Sequence, residues 1–420
     1  MLDIAALCLV ITALLSYLNH RFVGLPTAIG VMVTALACSL GIVALSTLGI
    51  SSLPLRLEEE LLRSIDFSEV LMQGMLSLLL FAGALHVDLS ELKAYRWQIG
   101  ALALLGTVLS TLAVGYGVWF ALPLVGLQLP LVYCLLFGAL ISPTDPIAVM
   151  GILKSAGAPR NLELVIAGES LFNDGVGVVI FSLLLAMLAS GATPTLAHAA
   201  ELLVHEAGGG ILYGGVLGYA TFVLLRSIDN YQVEVLLTLA AVTGGYALAR
   251  HLHVSGPLAM VVVGLVIGNH GRAKAMSDTT RRYVDMFWEL LDEILNAVLF
   301  VLIGMEVLLV SFSAGIFVGA AVAVGVTLLA RTLTVGLPVR ALHRFFKLPA
   351  SAWKLLTWGG LRGGISVALA LSIPVGPDRS VVLSLTYCVV VFSILVQGLT
   401  VGRLARATVA QGRLGASAPE

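Results

Sequence analysis

Ile141-Ser142-Pro143-Thr144-Asp145-Pro146-Ile147-Ala148-Val149-Met150 closes an otherwise apolar run that begins near residue 127. Each proline removes a backbone donor and frees a carbonyl one turn earlier, so a helix entering this stretch breaks inside it. A threonine and an acid sit in the break. A second weak point lies in the other half of the chain, at Trp358-Gly359-Gly360-Leu361-Arg362-Gly363-Gly364, where four glycines bracket an arginine. Unwound backbone at membrane depth is tolerated only where it is buried in protein or lines a watery cavity. One interrupted span in each half of a chain is the pattern an inverted repeat produces.

The surroundings of both breaks are those of a bilayer protein. Of 420 residues, 59% are hydrophobic and only 11% are charged, against about 25% charged in soluble domains. The mean hydropathy is +1.03, more apolar material than an aqueous core encloses. A net charge of −1 leaves no basic face for nucleic acid. Cys8, Cys38, Cys134 and Cys388 lie far apart in apolar runs and read as small buried hydrophobes. The N-terminal LDIAALCLVITALLSYL has no basic residue before it and no cleavage pattern, so it is expected to be the first span and not a removable signal.

At about 20 apolar residues per crossing, spans are expected near 3–19, 24–48, 69–87, 98–122, 127–152, 161–190, 208–225, 232–249, 255–269, 290–310, 314–338, 355–376 and 380–402. These are 13 in number, with polar breaks at 57–66, 86–97 and 272–285. The expected class is therefore an all-α polytopic membrane protein. An odd count places the termini on opposite sides, and the basic residues say which. Odd-numbered loops and the C-terminal tail hold 17 of the 23 Lys and Arg, the opposite face four, and Arg331 and Arg362 lie inside spans. Positive charge stays on the cytoplasmic side, so the N-terminus is expected outside and the C-terminus in the cytoplasm.

Five charges stand at positions where the bilayer makes them costly: Asp145, Glu169, Asp174, Arg331 and Arg362. In Glu169-Ser170-Leu171-Phe172-Asn173-Asp174, a helix puts Glu169 and Asn173 on one face, with Asp174 about 100° further round. Carboxylate, hydroxyl and amide oxygens then converge on the break at Asp145. Oxygen ligands suit a hard monovalent cation, and Asp174, Asp145, Thr144 and Ser170 supply them with no His or Cys. Burial favours the neutral acid while a bound cation favours the carboxylate, so one aspartate can hold a proton or a cation in turn. Two buried arginines need partners. The economical assignment pairs one acid permanently with an arginine; Glu169 with Arg331 is the pair expected, which leaves Arg362 to bond freed carbonyls or an acid at the second break. Loop histidines His86, His251, His253 and His270 are candidates for pH sensing only in the weak sense that any surface histidine is.

These residues resemble a family, the monovalent cation:proton antiporters of the NhaP and eukaryotic Na+/H+ exchanger type. The likeness is carried by GLPTAIG at 24–30, SPTDPIAV at 142–149, GESLFNDGVGVVIF at 168–181, SGPLAMVVVGLVIGN at 255–269, LLDEILNAVLFVLIGME at 290–306, ARTLTV at 330–335 and GGLRGGIS at 359–366. The resemblance implies a homodimer in the inner (plasma) membrane, surrounded by lipid, with a single antiporter domain over 1–403 and a short cytoplasmic tail at 404–420. Within that domain it implies a core at about 69–190 and 290–402, and dimerisation or scaffold helices at about 1–48 and 208–269. Two inverted repeats in the core would cross their broken helices, with Pro143, Pro146, Gly360, Gly363 and Arg362 shaping the crossing, and the core would move like an elevator. It further implies Asp174 as the carrier of Na+ or Li+ and H+, assisted by Asp145, Thr144, Ser170 and Asn173, with no cofactor and no enzymatic reaction. Asn173 before Asp174 goes with one cation per proton in this family, where electrogenic relatives have Asp-Asp. Such a protein serves pH and sodium homeostasis.

Other readings use the same residues. A K+/H+ antiporter would keep the scaffold and change the ion. A cation channel would line its path with the same oxygens but move cations without protons. An intramembrane aspartyl protease would use Asp145 and Asp174 as a dyad, yet the sequence around Asp174 lacks the contexts of such enzymes and leaves the two arginines without a role.

Overall fold

The computed structural model describes residues 2–47, 74–145, 149–151, 153, 157–190, 204–305, 313–349 and 351–416. These residues are helical almost throughout, and among them the sole β-type pairing is an isolated antiparallel bridge between Asp145 and Leu361. The main helices are α1 (Leu2–Leu18), α2 (Thr27–Thr47), α3 (Leu76–Leu85), α4 (Thr107–Ala121), α5 (Leu131–Ile141), α6 (Arg160–Ser190), α7 (Gly209–Arg226), α8 (Tyr231–His251), α9 (Gly256–Val266), α10 (Asp278–Met305), α11 (Ala314–Arg331), α12 (Ala352–Trp358), α13 (Gly364–Ser372), α14 (Pro377–Phe392) and α15 (Leu399–Ala416).

Eight helical stretches among the described residues are long and apolar enough to cross a membrane: 6–23, 27–45, 96–125, 160–189, 204–226, 231–251, 314–341 and 377–408. The other expected spans coincide with helices that are short, as α3 and α5 are, interrupted, as α12 and α13 are, or more polar, as α10 is. Large apolar side chains line the outside as well as the core: Leu105, Phe120, Leu212, Tyr219, Leu236 and Phe317 are all exposed. A surface of that kind is stable against lipid tails and unstable in water.

Without a hydrophobic force between helices in lipid, close approach depends on small residues. Gly210, Gly214 and Gly218 repeat every four positions on α7 and bring its backbone against Ser255, Ala259 and Val263 at the start and middle of α9. A side chain at any of the three would strike that neighbouring chain. A buried polar contact also ties α10 to α8: the Trp288 indole donates to Thr238 Oγ1 at 3.0 Å.

The two interruptions lie where expected. Helix α5 ends at Ile141, the backbone is irregular from Ser142 to Asp145, and helix returns at Val149; Pro146 lies outside the described residues. On the other side α12 ends at Trp358 and α13 begins at Gly364. The two gaps meet: the Asp145 N–H donates to the Leu361 carbonyl at 2.8 Å.

Two boundaries differ from the expectation. Helix α10 begins at Asp278, well before residue 290, because its first turns form an amphipathic extension rich in Arg, Asp and Glu. Helix α15 continues past residue 402 through Arg403, Arg406 and Arg413 to Ala416. The polar loop at 57–66 lies outside the described residues.

Candidate functional site at the helix crossing

Breaking α5 strands its last carbonyls, because Pro146 has no N–H to offer the Ser142 oxygen four residues back. Arg362 fills that role from the opposite gap. Its Nη1 donates to the Ser142 carbonyl at 2.9 Å and to the Pro143 carbonyl at 2.7 Å, and its own backbone N–H donates to Ser393 Oγ at 2.9 Å. The guanidinium is 2% exposed, and a cation at the C-terminal end of a helix is favoured by the helix dipole. Ser393 opens a π-helical turn, Ser393–Gly398, between α14 and α15; such turns often mark functional places in helices. Of the two freed groups open to Arg362 in the sequence, carbonyl or acid, the structure gives it carbonyls, and those of the other break.

Glu169 and Arg331 face each other. Nη1 lies 2.6 Å from Oε1 and Nη2 lies 3.1 Å from Oε2, a bidentate pair, while Nε donates to the Leu356 carbonyl at 3.2 Å. Both side chains are almost fully buried. Gly360 completes the fit, since a side chain there would run into Arg331 Nε and Thr144 Cγ2.

Thr144 links Ser170 and Asn173 beside this pair. The Thr144 N–H donates to Asn173 Oδ1 at 3.3 Å, Asn173 Nδ2 donates back to Thr144 Oγ1 at 2.9 Å, and Thr144 Oγ1 lies 3.0 Å from Ser170 Oγ. The amide of Asn173 thus straps the broken segment to α6. Thr144 and Ser170 border a narrow gap shared with Glu169, Arg331 and Gly360.

Asp145 and Asp174 stand on another side of the crossing. Both line a cavity of about 450 Å³ that reaches from the crossing to loop residues His86, Asp88 and Arg160. Asp174 is 9% exposed and close enough to Asp145 for the two charges to interact. Gly363 also borders the cavity, and a side chain there would strike the Asp145 carboxylate. Pro143 lines the same wall. The residues expected to surround an ion are therefore brought to one crossing but fall into two groups, two carboxylates on the cavity and three hydrogen-bonded polar side chains behind them.

At the mouth, Arg160 is held by Glu91 at 2.7 Å and by Glu163 at 3.4 Å. Asp88 caps the short helix Leu89–Ala94 and accepts bonds from Ser90. The Ser90 hydroxyl and N–H hold the Asp88 carboxyl below the usual carboxylate range. The far wall holds two residues that the sequence reading left without a role, Asp292 and Asn296 of α10. They are four apart and share a helix face, as Glu169 and Asn173 do; that spacing was the available signal.

The acids on the cavity supply carboxylate oxygens, which fit a hard cation. Among the described residues no group of three or more His, Cys, Asp and Glu has the arrangement of a resident metal centre.

Comparison with known proteins agrees with this architecture. The family profile described as sodium/hydrogen exchanger, transmembrane, matches residues 9–407. The chain is 58% identical over 411 residues to the Na+/H+ antiporter NhaP of Pseudomonas aeruginosa, covering 97% of this chain and 96% of that one. It is 37% identical over 364 residues to the Na+/H+ antiporter NhaH of Halobacillus dabanensis, covering 84% and 87%. In fold it is similar to the sodium proton antiporter MjNhaP1 of Methanocaldococcus jannaschii, with a TM-score of 0.74, 20% identity and coverage of 95% and 96%. The chain, with its two interrupted helices meeting beside Asp145 and the buried Asp174, belongs to the transmembrane sodium/hydrogen exchanger family.

Proposed function

We propose that this multi-pass membrane protein exchanges Na+ or Li+ for H+, one for one, by competition at Asp174. One observation carries the reading: of the buried acids on α6, Glu169 is closed by Arg331, whereas Asp174 opens with Asp145 onto the cavity. A paired carboxylate keeps its charge through a cycle; an open one can trade its load. If Asp174 alone changes load, each cation taken up displaces one proton and no net charge moves. The names of the relatives support Na+ as the ion.

Asp145 shares the ion with Asp174, while Thr144, Ser170 and Asn173 hold the break in place and can offer oxygens when the crossing shifts. Loops 86–97 and 153–160 carry basic residues of the cytoplasmic set, so the cavity they border faces the cytoplasm, with the N-terminus outside and the C-terminus inside. The core at about 69–190 and 290–402 moves as an elevator against helices at about 1–48 and 208–269. Those helices include the least covered spans, α1 and α7, which suits a homodimer interface in the inner membrane. The cellular role that follows is control of pH and sodium.

The test is internal pH in proteoliposomes with a trapped dye, adding Na+, Li+ or K+ outside in turn. In the Na+ and Li+ runs, K+ with valinomycin first clamps the voltage at zero and then steps it. Na+-driven proton movement indifferent to voltage is the expected result. A rate that follows voltage rejects one-for-one coupling, a response to K+ alone changes the ion, and cation entry without proton movement indicates a channel.

A further inference from the structure

We infer that Asp292 on α10 is a staging ligand, holding the incoming cation at the cavity wall with Asp145 before the ion passes to Asp174. This rests on the exchange reading above and adds to it a residue and an order of events.

The cavity has a charge imbalance. Among the described residues that line it, Arg160 is the one fixed cation, and Glu91 and Glu163 already hold it. Beyond that closed group, Asp88, Asp174 and Asp292 also line the cavity. At about 450 Å³ and about 30 Å³ per water, the space holds on the order of fifteen waters, so a cation enters with much of its hydration shell and meets carboxylates on several sides.

Asp292 is set apart by its position. Asn269, just after α9, accepts from the Leu89 N–H at 2.7 Å and donates to the Val87 carbonyl at 2.9 Å, which fixes the loop leading into α10 at the cavity mouth. The other end of α10 runs toward the crossing, where Leu299 packs on Gly364. Asp292 lies seven residues before Leu299, roughly 10 Å toward the mouth along the helix. An ion moving inward passes Asp292 first. The side chain is half-buried on a cavity that Leu79, Leu80 and Leu171 also line, and among the described residues no ion pair closes it. Asn296, one turn deeper, turns its amide toward it, with Nδ2 donating to the Asp292 main-chain oxygen at 2.9 Å. Asp292 and Asp145 line the same cavity and are near enough for their charges to interact, so a cation held there is met by two carboxylates. The third carboxylate concentrates cation at the approach and leaves the load-changing step at Asp174.

The experiment compares wild type with D292N, D292S and D292E in proteoliposomes, following cation-driven pH change over a range of cation concentration. The neutral variants are expected to raise the apparent KM for the cation by about three- to tenfold, with kcat within about twofold, and D292E to return KM to near wild type. An assembled neutral variant with unaltered KM overturns the staging role, as does a collapse of kcat in a protein that melts and elutes as wild type does, because Asp292 would then belong to the carrier. Failure of both neutral variants to assemble overturns it in favour of a structural role. A wild type that moves no protons defeats the exchange reading itself; one that exchanges normally beside a D292N of unchanged KM defeats the staging role alone.

Discussion

Glu169 and Asp174 are five residues apart on one helix, both acids, both buried, and the protein treats them in opposite ways. Glu169 is gripped by two nitrogens of Arg331 in a dry gap behind the crossing. Asp174 faces the cavity of about 450 Å³ with a second aspartate for company. The difference teaches that a buried charge is not in itself a functional one: a carboxylate whose partner is built into the protein is part of the frame, and one whose partner must arrive from outside can do transport. The two breaks divide in the same manner, since the proline break presents Asp145 to the cavity while the glycine break supplies Arg362 to bind the carbonyls that the prolines set free.

The largest effect should come from breaking the closed pair. Arg331→Ala leaves Glu169 charged and buried, and Glu169→Gln strands the guanidinium; either is expected to cost about 3–5 kcal/mol of stability, read as a fall in melting temperature in detergent. Replacing both by apolar residues of similar volume should recover much of that loss. A single variant that melts as wild type does but cannot transport would move Glu169 from frame to carrier.

A smaller effect is expected at Arg362. Arg362→Met removes the one nitrogen that the Ser142 and Pro143 carbonyls share, at about 1–3 kcal/mol in all. Since those carbonyls position the Asp145 segment, exchange should fall along with the melting temperature. Unchanged transport in this variant would mean that the break holds its shape without the arginine.

The mildest change probes the strap. Asn173→Ala removes both bonds to Thr144, at about 1 kcal/mol each, and loosens Thr144 without touching the cavity-facing acids. A modest rise in the apparent KM for the cation, with little change in melting, is the expected pattern in the liposome assay. A complete loss of transport would place Asn173 among the ion's own ligands.

Much of this was legible before any coordinates. Proline chemistry located one gap and the glycine cluster the other, and the cost of buried charge required an acid for a buried arginine, the expected pair being the Glu169–Arg331 that forms. What could not be read was direction. Helical angles put Ser170, Asn173 and Asp174 on the inner side of α6, but which of them meets the cavity depends on how α6 rolls against the crossing, and that is decided by close contacts such as Pro143 on Gly177. Asp292 escaped for a different reason. The stretch around it, Glu289 to Glu293, reads as the polar face of an amphipathic helix, and only the packing of α10 against the gap reveals that part of this face looks inward.

The central claim is that a proton and a cation take turns on Asp174. Its most direct test needs no membrane: Na+ is added to the purified protein in weakly buffered detergent solution, and proton release is followed beside calorimetric binding. Wild type is expected to release about one proton per chain on binding Na+, and a folded Asp174→Asn variant to release none. Undiminished release from that variant, or Na+ binding to wild type with no proton released, would contradict the account.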